Sequence, residues 1–105
     1  MVKWGAALGF AAAPHEDELQ AIIADAWAAV PYVKAVLSFE DPGKKRAPTA
    51  DQLAAIALDS LISSTRVRGF GKRALMQRFF GVDSHARLRL RLRYESAAKK
   101  ARLPL

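Results

Sequence analysis

Arginines alternate with apolar residues in the stretch SHARLRLRLRYES, residues 84–96. Each guanidinium stays charged and presents a planar fork of donors that fits a phosphate group. On a β-strand the arginines would share one side at intervals of roughly 6.7 Å, twice the rise per residue. This spacing favours a strand whose open face contacts the phosphate backbone of a nucleic acid, through Arg87, Arg89, Arg91 and Arg93.

A helix is the alternative for the same stretch. Leu88 and Leu92 would then face one way, and Leu90 and Tyr94 roughly the opposite way, so that no single apolar stripe exists. Leucine and arginine are good helix formers, which supports this alternative. The strand is the leading prediction because alternation separates the basic from the apolar residues cleanly.

Charge is distributed unevenly along the 105 residues. Residues 1–60 hold five Lys and Arg against eight Asp and Glu, whereas residues 61–105 hold twelve against two. An anionic partner is therefore expected at the C-terminal half. Beyond the four alternating arginines, the predicted nucleic-acid contacts are Arg66, Arg68, Lys72, Arg73, Arg78, Lys99, Lys100 and Arg102.

Phe70 lies between two glycines in the basic segment RVRGFGKR. An exposed aromatic ring in such a loop could stack on an unpaired base. The alternative is a ring that anchors the loop on the core. We include Phe70 among the candidate nucleic-acid contacts.

The rest of the chain contains the elements that must position this basic half. Alternation predicts strands at residues 2–10 and 33–39, with Pro31 ending the helix that spans residues 14–30. Thr49 and Gln52 form a capping box that begins another helix. A short helix over residues 72–80 should stop at Gly81, in the left-handed conformation.

These elements predict an α+β fold. Residues 1–95 would form a single basic domain in the order strand, helix, strand, helix, short helix, strand, with the helices packed on one sheet face. Residues 96–105 would form a basic C-terminal tail. A chain of 105 residues supports one compact domain with a modest core.

An all-α fold with a helix-turn-helix is the alternative architecture. Gly81 and Val82 would form the turn, and Asp83 or Ser84 would cap a DNA-reading helix. Two positions depart from this motif. Gln77 replaces the small residue usually packed between the two helices, and Arg87 occupies a core position.

No motif in the sequence indicates a catalysed reaction. There is no cysteine, His15 and His85 are isolated, and no glycine-rich phosphate loop is present. We predict no enzyme activity, cofactor or metal. No apolar run approaches the ~20 residues that span a bilayer, so a cytoplasmic or nucleoid location is expected, with an organelle matrix as the alternative.

The expected function is non-enzymatic binding of RNA or DNA through the phosphate backbone. Two alternatives stay open. The chain could be a structural or adaptor subunit of a ribonucleoprotein or protein complex, or a helix-turn-helix regulator that reads DNA.

Overall fold

The computed structural model describes residues 13–41, 43, 46–62, 67 and 69–102. Within these residues the fold is all helical, and the β-structure is confined to an isolated bridge between Val67 and Phe70. The predicted α+β fold is therefore wrong, and the all-α alternative fits. The helices are α1 (Ala13–Ala28), α2 (Val30–Leu37), α3 (Ala50–Ser60), α4 (Lys72–Phe80) and α5 (Ser84–Lys100).

Helices α1, α3 and α4 confirm the sequence predictions. The apolar stripe of α1 is buried at Leu19, Ile23 and Ala26. At the start of α3, the Thr49 hydroxyl accepts from the Gln52 amide nitrogen at 3.1 Å. The Gln52 side chain accepts in return from the Thr49 amide nitrogen at 3.0 Å. Local signals of capping and periodicity suffice for these three elements.

The strand predicted at residues 33–39 is wrong, because these residues largely belong to α2. Val33, Val36 and Leu37 are buried together, at the three- and four-residue spacing of a helix face. Pro31 lies in the first turn of α2, where a helix does not need the missing N–H. It therefore begins a helix, and α1 has already ended at Ala28.

The strand predicted at residues 86–94 is also wrong, because this stretch lies within α5. The Asp83 carboxylate caps the helix by accepting from the Ala86 amide nitrogen at 2.8 Å. Leu90 and Tyr94 are buried, whereas Leu88 and Leu92 are 55% and 56% exposed. Helix propensity overrides the alternation here, and the two pairs face different ways as the helical alternative predicts. The third predicted strand, at residues 2–10, lies outside the described residues.

Helix α3 is the centre of the domain. Its residues 53–58 are all buried, and it packs against each of the other four helices. Helices α4 and α5 thus both pack against α3. At the far end of the chain, α5 continues beyond residue 95, and Ala97 and Ala98 are buried in the core.

Gly81 ends α4 in the left-handed conformation, with φ of 66°, as the sequence predicts. A Cβ added there meets no atom within 4 Å, so the cost of a side chain is confined to the backbone. Gly81→Ala should lower the free energy of unfolding by about 1 kcal/mol, and Gly81→Asn by less, because Asn tolerates this conformation. Urea unfolding measures both, and an alanine variant as stable as the wild type would contradict this geometry.

Candidate nucleic-acid interface

Arg87 connects α5 to α3 through Asp59. The Arg87 Nη2 and Nε atoms donate to the same carboxylate oxygen, at 2.8 and 3.2 Å. The Asp59 side chain is only 7% exposed and that of Arg87 26%. A carboxylate this buried requires a cationic partner, so Arg87 acts as a structural residue within the fold.

Arg93 connects α5 to the segments on either side of residues 42–45. Its Nη2 donates to the Glu40 carboxylate at 2.8 Å, and its Nε donates to the other oxygen of the same group. Nη2 also donates to the Arg46 carbonyl oxygen at 2.8 Å. The Arg93 and Glu40 side chains are 14% and 15% exposed. This guanidinium is therefore committed to contacts within the molecule.

The remaining two alternating arginines are exposed but differ in their partners. Arg91 forms an ion pair with Glu95 one turn along α5, at 3.3 Å. Arg89 has no ion pair among the described residues. A helix distributes the arginines around its circumference, so the predicted row of four phosphate contacts does not form on one side.

The side of α5 that points away from the core carries exposed residues along its whole length. We call this surface the outer face of α5; it comprises His85, Leu88, Arg89, Leu92, Ser96 and Lys99. None of these residues is acidic. Only Arg89 and Lys99 were predicted as contacts from the sequence. The helical alternative for residues 86–94 places Leu88 and Leu92 on one side of the helix. This spacing is the sequence feature that could have identified the remaining residues of the outer face.

The other predicted contacts divide into paired and unpaired cations. Arg78 approaches Glu16 at 3.7 Å and Lys100 binds Asp41 at 2.8 Å. Lys72 donates to the Asp59 carbonyl oxygen at 2.9 Å. Arg73 and Arg102 are exposed, with no ion pair among the described residues. Arg66 and Arg68 lie outside the part of the chain that the structure describes.

Phe70 is half-buried and packs against the core. The Arg78 guanidinium lies 5.5 Å from the centre of its ring, and it also lies 4.8 Å from that of Phe79. Cation–π contacts of this kind occupy a ring face that a base would need. The geometry favours Phe70 as an anchor for its loop over a stacking platform.

Helices α4 and α5 are joined by the three residues 81–83, and both pack on α3. A connection of three residues between two helices is also the length found in helix-turn-helix motifs. The two departures noted in the sequence are accommodated. Gln77 is exposed instead of packed between the helices, and Asp59 neutralises Arg87. The apolar residues around the turn are buried: Met76, Phe80, Val82 and Leu90.

A groove of about 540 Å³ lies between the start of α3 and the side of α5. We call it the α3–α5 groove. Its polar lining residues are Arg46, Gln52, Arg89 and Arg93, and its apolar ones are Ala47, Ala86, Leu90 and Leu92. None of these eight residues is acidic. Arg89 therefore belongs both to the groove and to the outer face of α5.

Little in the described residues suggests acid–base or metal chemistry. Burial raises the pKa of the Tyr94 phenol above its ordinary value, and the neighbouring Tyr32 adds to this increase. Tyr94 is therefore protonated at neutral pH and is not a general base. No group of three or more metal-ligating side chains occurs within the described ranges.

Comparison with protein-family models, with curated proteins and with solved structures finds no match to this chain. In the portion that the structure describes, no helix has both the length and the apolar character required to cross a membrane.

The buried pair of Asp59 and Arg87 gives a direct test of how α5 is held. Asp59→Ala should lower the free energy of unfolding by about 1–3 kcal/mol, because it leaves a half-buried guanidinium without its carboxylate. Glu95→Ala removes the partner of exposed Arg91 and should cost less than about 0.5 kcal/mol. Thermal or urea denaturation compares the two, and equal losses would show that the buried pair does not secure α5.

Proposed function

We propose that this protein binds duplex DNA as a helix-turn-helix module, without catalysis, and that α5 is the helix that enters the major groove. The observation that carries the proposal is the arrangement around residues 81–83. A left-handed glycine ends α4, Asp83 caps α5, and α3 supports both helices. This arrangement leaves the outer face of α5 exposed and free of acidic residues.

The dimensions of α5 suit this role. An α-helix with its side chains is about 10–12 Å across, and the major groove of B-form DNA is about 12 Å wide. In helix-turn-helix modules the N-terminal part of the second helix contacts the base edges. Here that part of the outer face presents His85, Leu88, Arg89 and Leu92.

Arg89 and Leu88 have the chemistry for direct base recognition. An arginine can donate two hydrogen bonds to O6 and N7 of guanine, and an apolar side chain can contact the C5 methyl of thymine. Arg89 is suited to the first role because no carboxylate among the described residues engages it. Leu88 is suited to the second because it is 55% exposed on a helix whose other side is already buried. We therefore assign a preference for guanine and thymine within the site.

Exposed cations at the start of α4 and at the end of α5 are suited to phosphate contacts. Arg73 lies in the first turn of α4, Lys99 in the last turn of α5, and Arg102 just beyond it. In a helix-turn-helix the first helix crosses the DNA backbone while the second occupies the groove. These residues would add affinity that is independent of sequence.

A second candidate function is a subunit of a larger assembly, which exposed apolar side chains on or just after α1, α2 and α3 favour. Trp27, Tyr32, Phe39 and Leu61 are each between 37% and 53% exposed. Aromatic residues with such exposure are enriched in protein interfaces. Binding of a protein partner through these residues would depend weakly on salt, whereas DNA binding would depend strongly on it.

Duplex binding is tested by fluorescence anisotropy with labelled 30-mers of random sequence at several salt concentrations. We expect affinity that falls steeply with salt, and Arg73→Gln should reduce the slope of log K against log salt by about 0.9, the contribution of one phosphate contact. Arg91→Gln is the matched control, because Arg91 is exposed on α5 but paired with Glu95. Absence of duplex binding at low salt would exclude this function, and tighter binding to single strands would favour backbone binding to RNA or single-stranded DNA.

Base recognition is tested on a duplex selected from a random library. Replacing Arg89 by alanine should lower the free energy of binding to the selected site by about 1–3 kcal/mol, and the loss on random DNA should be clearly smaller.

The role of Leu88 is tested by substituting deoxyuridine for thymidine, which removes only the methyl group. This should weaken wild-type binding up to about fourfold at the contacted position, the value of one buried methyl. Leu88→Ala should be insensitive to the same substitution. Equal sensitivity of the two proteins at every thymidine would remove Leu88 from base recognition.

A further inference from the structure

The α3–α5 groove contains a cluster of donors that the fold itself does not satisfy. Arg46 and Arg89 both line it, and neither has a side-chain ion pair among the described residues. Gln52 uses its carbonyl oxygen in the capping box, which leaves its amide nitrogen as a further donor at the same place. With no acidic residue in the lining, the groove is electrostatically suited to an anion.

The wall of the groove is held in place before any ligand arrives. Arg93 binds the Glu40 carboxylate and the Arg46 carbonyl oxygen simultaneously, so that the backbone of Arg46 is tied to α5. The Arg46 side chain therefore extends from a fixed point beside Arg89. Because the Arg46 backbone is already fixed, only the side chain of Arg46 has to be ordered on binding, which lowers the entropic cost.

The rest of the groove is apolar, with Ala47 on the α3 side and Ala86 and Leu90 on the α5 side. A volume of about 540 Å³ exceeds what a bare phosphate needs and lies within the range of small-molecule sites. We propose that the groove binds a small organic anion, with its phosphate or carboxylate group between Arg46 and Arg89 and its apolar body against Ala86 and Leu90.

Arg89 gives this site a regulatory consequence, which rests on the proposed function. A ligand that engages Arg89 in the groove removes that guanidinium from the outer face of α5, where it would contact guanine. The organic anion and the DNA duplex therefore compete for the same side chain. Occupation of the groove should therefore weaken binding to the selected site by as much as the loss of Arg89 does, about 1–3 kcal/mol.

The groove is tested by titrating the ¹⁵N-labelled protein with phenyl phosphate, inorganic phosphate and benzyl alcohol, and following backbone amide shifts by NMR. We expect saturable binding of phenyl phosphate, with shifts centred on Ala47, Gln52, Ala86 and Leu90. Its affinity should exceed that of inorganic phosphate by about tenfold, since burial of the ring adds an apolar contribution. Equal affinities, shifts centred elsewhere, or no saturation would overturn the proposal.

Variants test the cation that would bind the anionic group and the space that would hold the apolar body. Arg46→Gln should weaken phenyl phosphate binding by about tenfold, through loss of a charge-assisted hydrogen bond. Ala47→Trp should do the same by filling the groove, and Ala47 is exposed, so a larger side chain there disturbs no packing. Arg91→Gln removes an exposed cation on α5 outside the groove and should leave the affinity for phenyl phosphate unchanged. If Arg46→Gln binds as the wild type does, the assignment fails.

The regulatory consequence has its own readout. Phenyl phosphate should weaken binding of the wild type to the selected duplex by as much as Arg89→Ala does, whereas Ala47→Trp should bind that duplex normally and require about tenfold more phenyl phosphate for the same effect. The same effect on both proteins at the same concentration would overturn the competition. If the wild type binds no duplex, the proposed function fails, and the NMR titration still decides whether the groove binds an anion.

Discussion

The ion pairs between the acidic first part of the chain and α5 determine how α5 is presented. Asp59 on α3 holds Arg87, and Glu40 after α2 holds Arg93. These pairs are largely withdrawn from water, so each charge depends on its partner to offset the loss of hydration. Because they contact α5 from two sides, they fix its rotation about its own axis. That rotation decides which residues form the outer face.

The acidic first part and the basic second part of the chain are therefore partly paired with each other inside the fold. Alternating arginines in the sequence suggest a continuous basic surface, but Arg87 and Arg93 are engaged inside the molecule and Arg91 is paired along the helix. Within the described parts of α4 and α5 and the residues just after α5, the exposed cations without an ion pair occupy a few defined positions: Arg73, Arg89, Lys99 and Arg102. A surface of this kind suits recognition at defined positions better than it suits nonspecific coating of a polyanion.

The sequence predicts the elements whose signals are local and leaves open those that depend on distant partners. The capping box of Thr49 and Gln52 and the glycine stop at residue 81 involve residues at most six apart, so α3 and α4 could be located. The alternation in residues 86–94 misleads because a helix with apolar residues on two sides and arginines between them produces the same pattern. The spacing of Val33, Val36 and Leu37 was a usable helical signal that Pro31 obscured.

No local pattern could show which arginines remain available to a partner. Arg87 meets a carboxylate 28 positions away and Arg93 one 53 positions away, and these pairings follow only from the packing of α5 on α3 and on α2. The same packing brings Arg46, from a turn segment, beside Arg89. A single guanidinium thus lies at the junction of the helix face proposed to enter DNA and the groove proposed to bind an organic anion. Two ligands that require the same charge cannot both have it, and this shared side chain is sufficient to couple them without any movement of the helices.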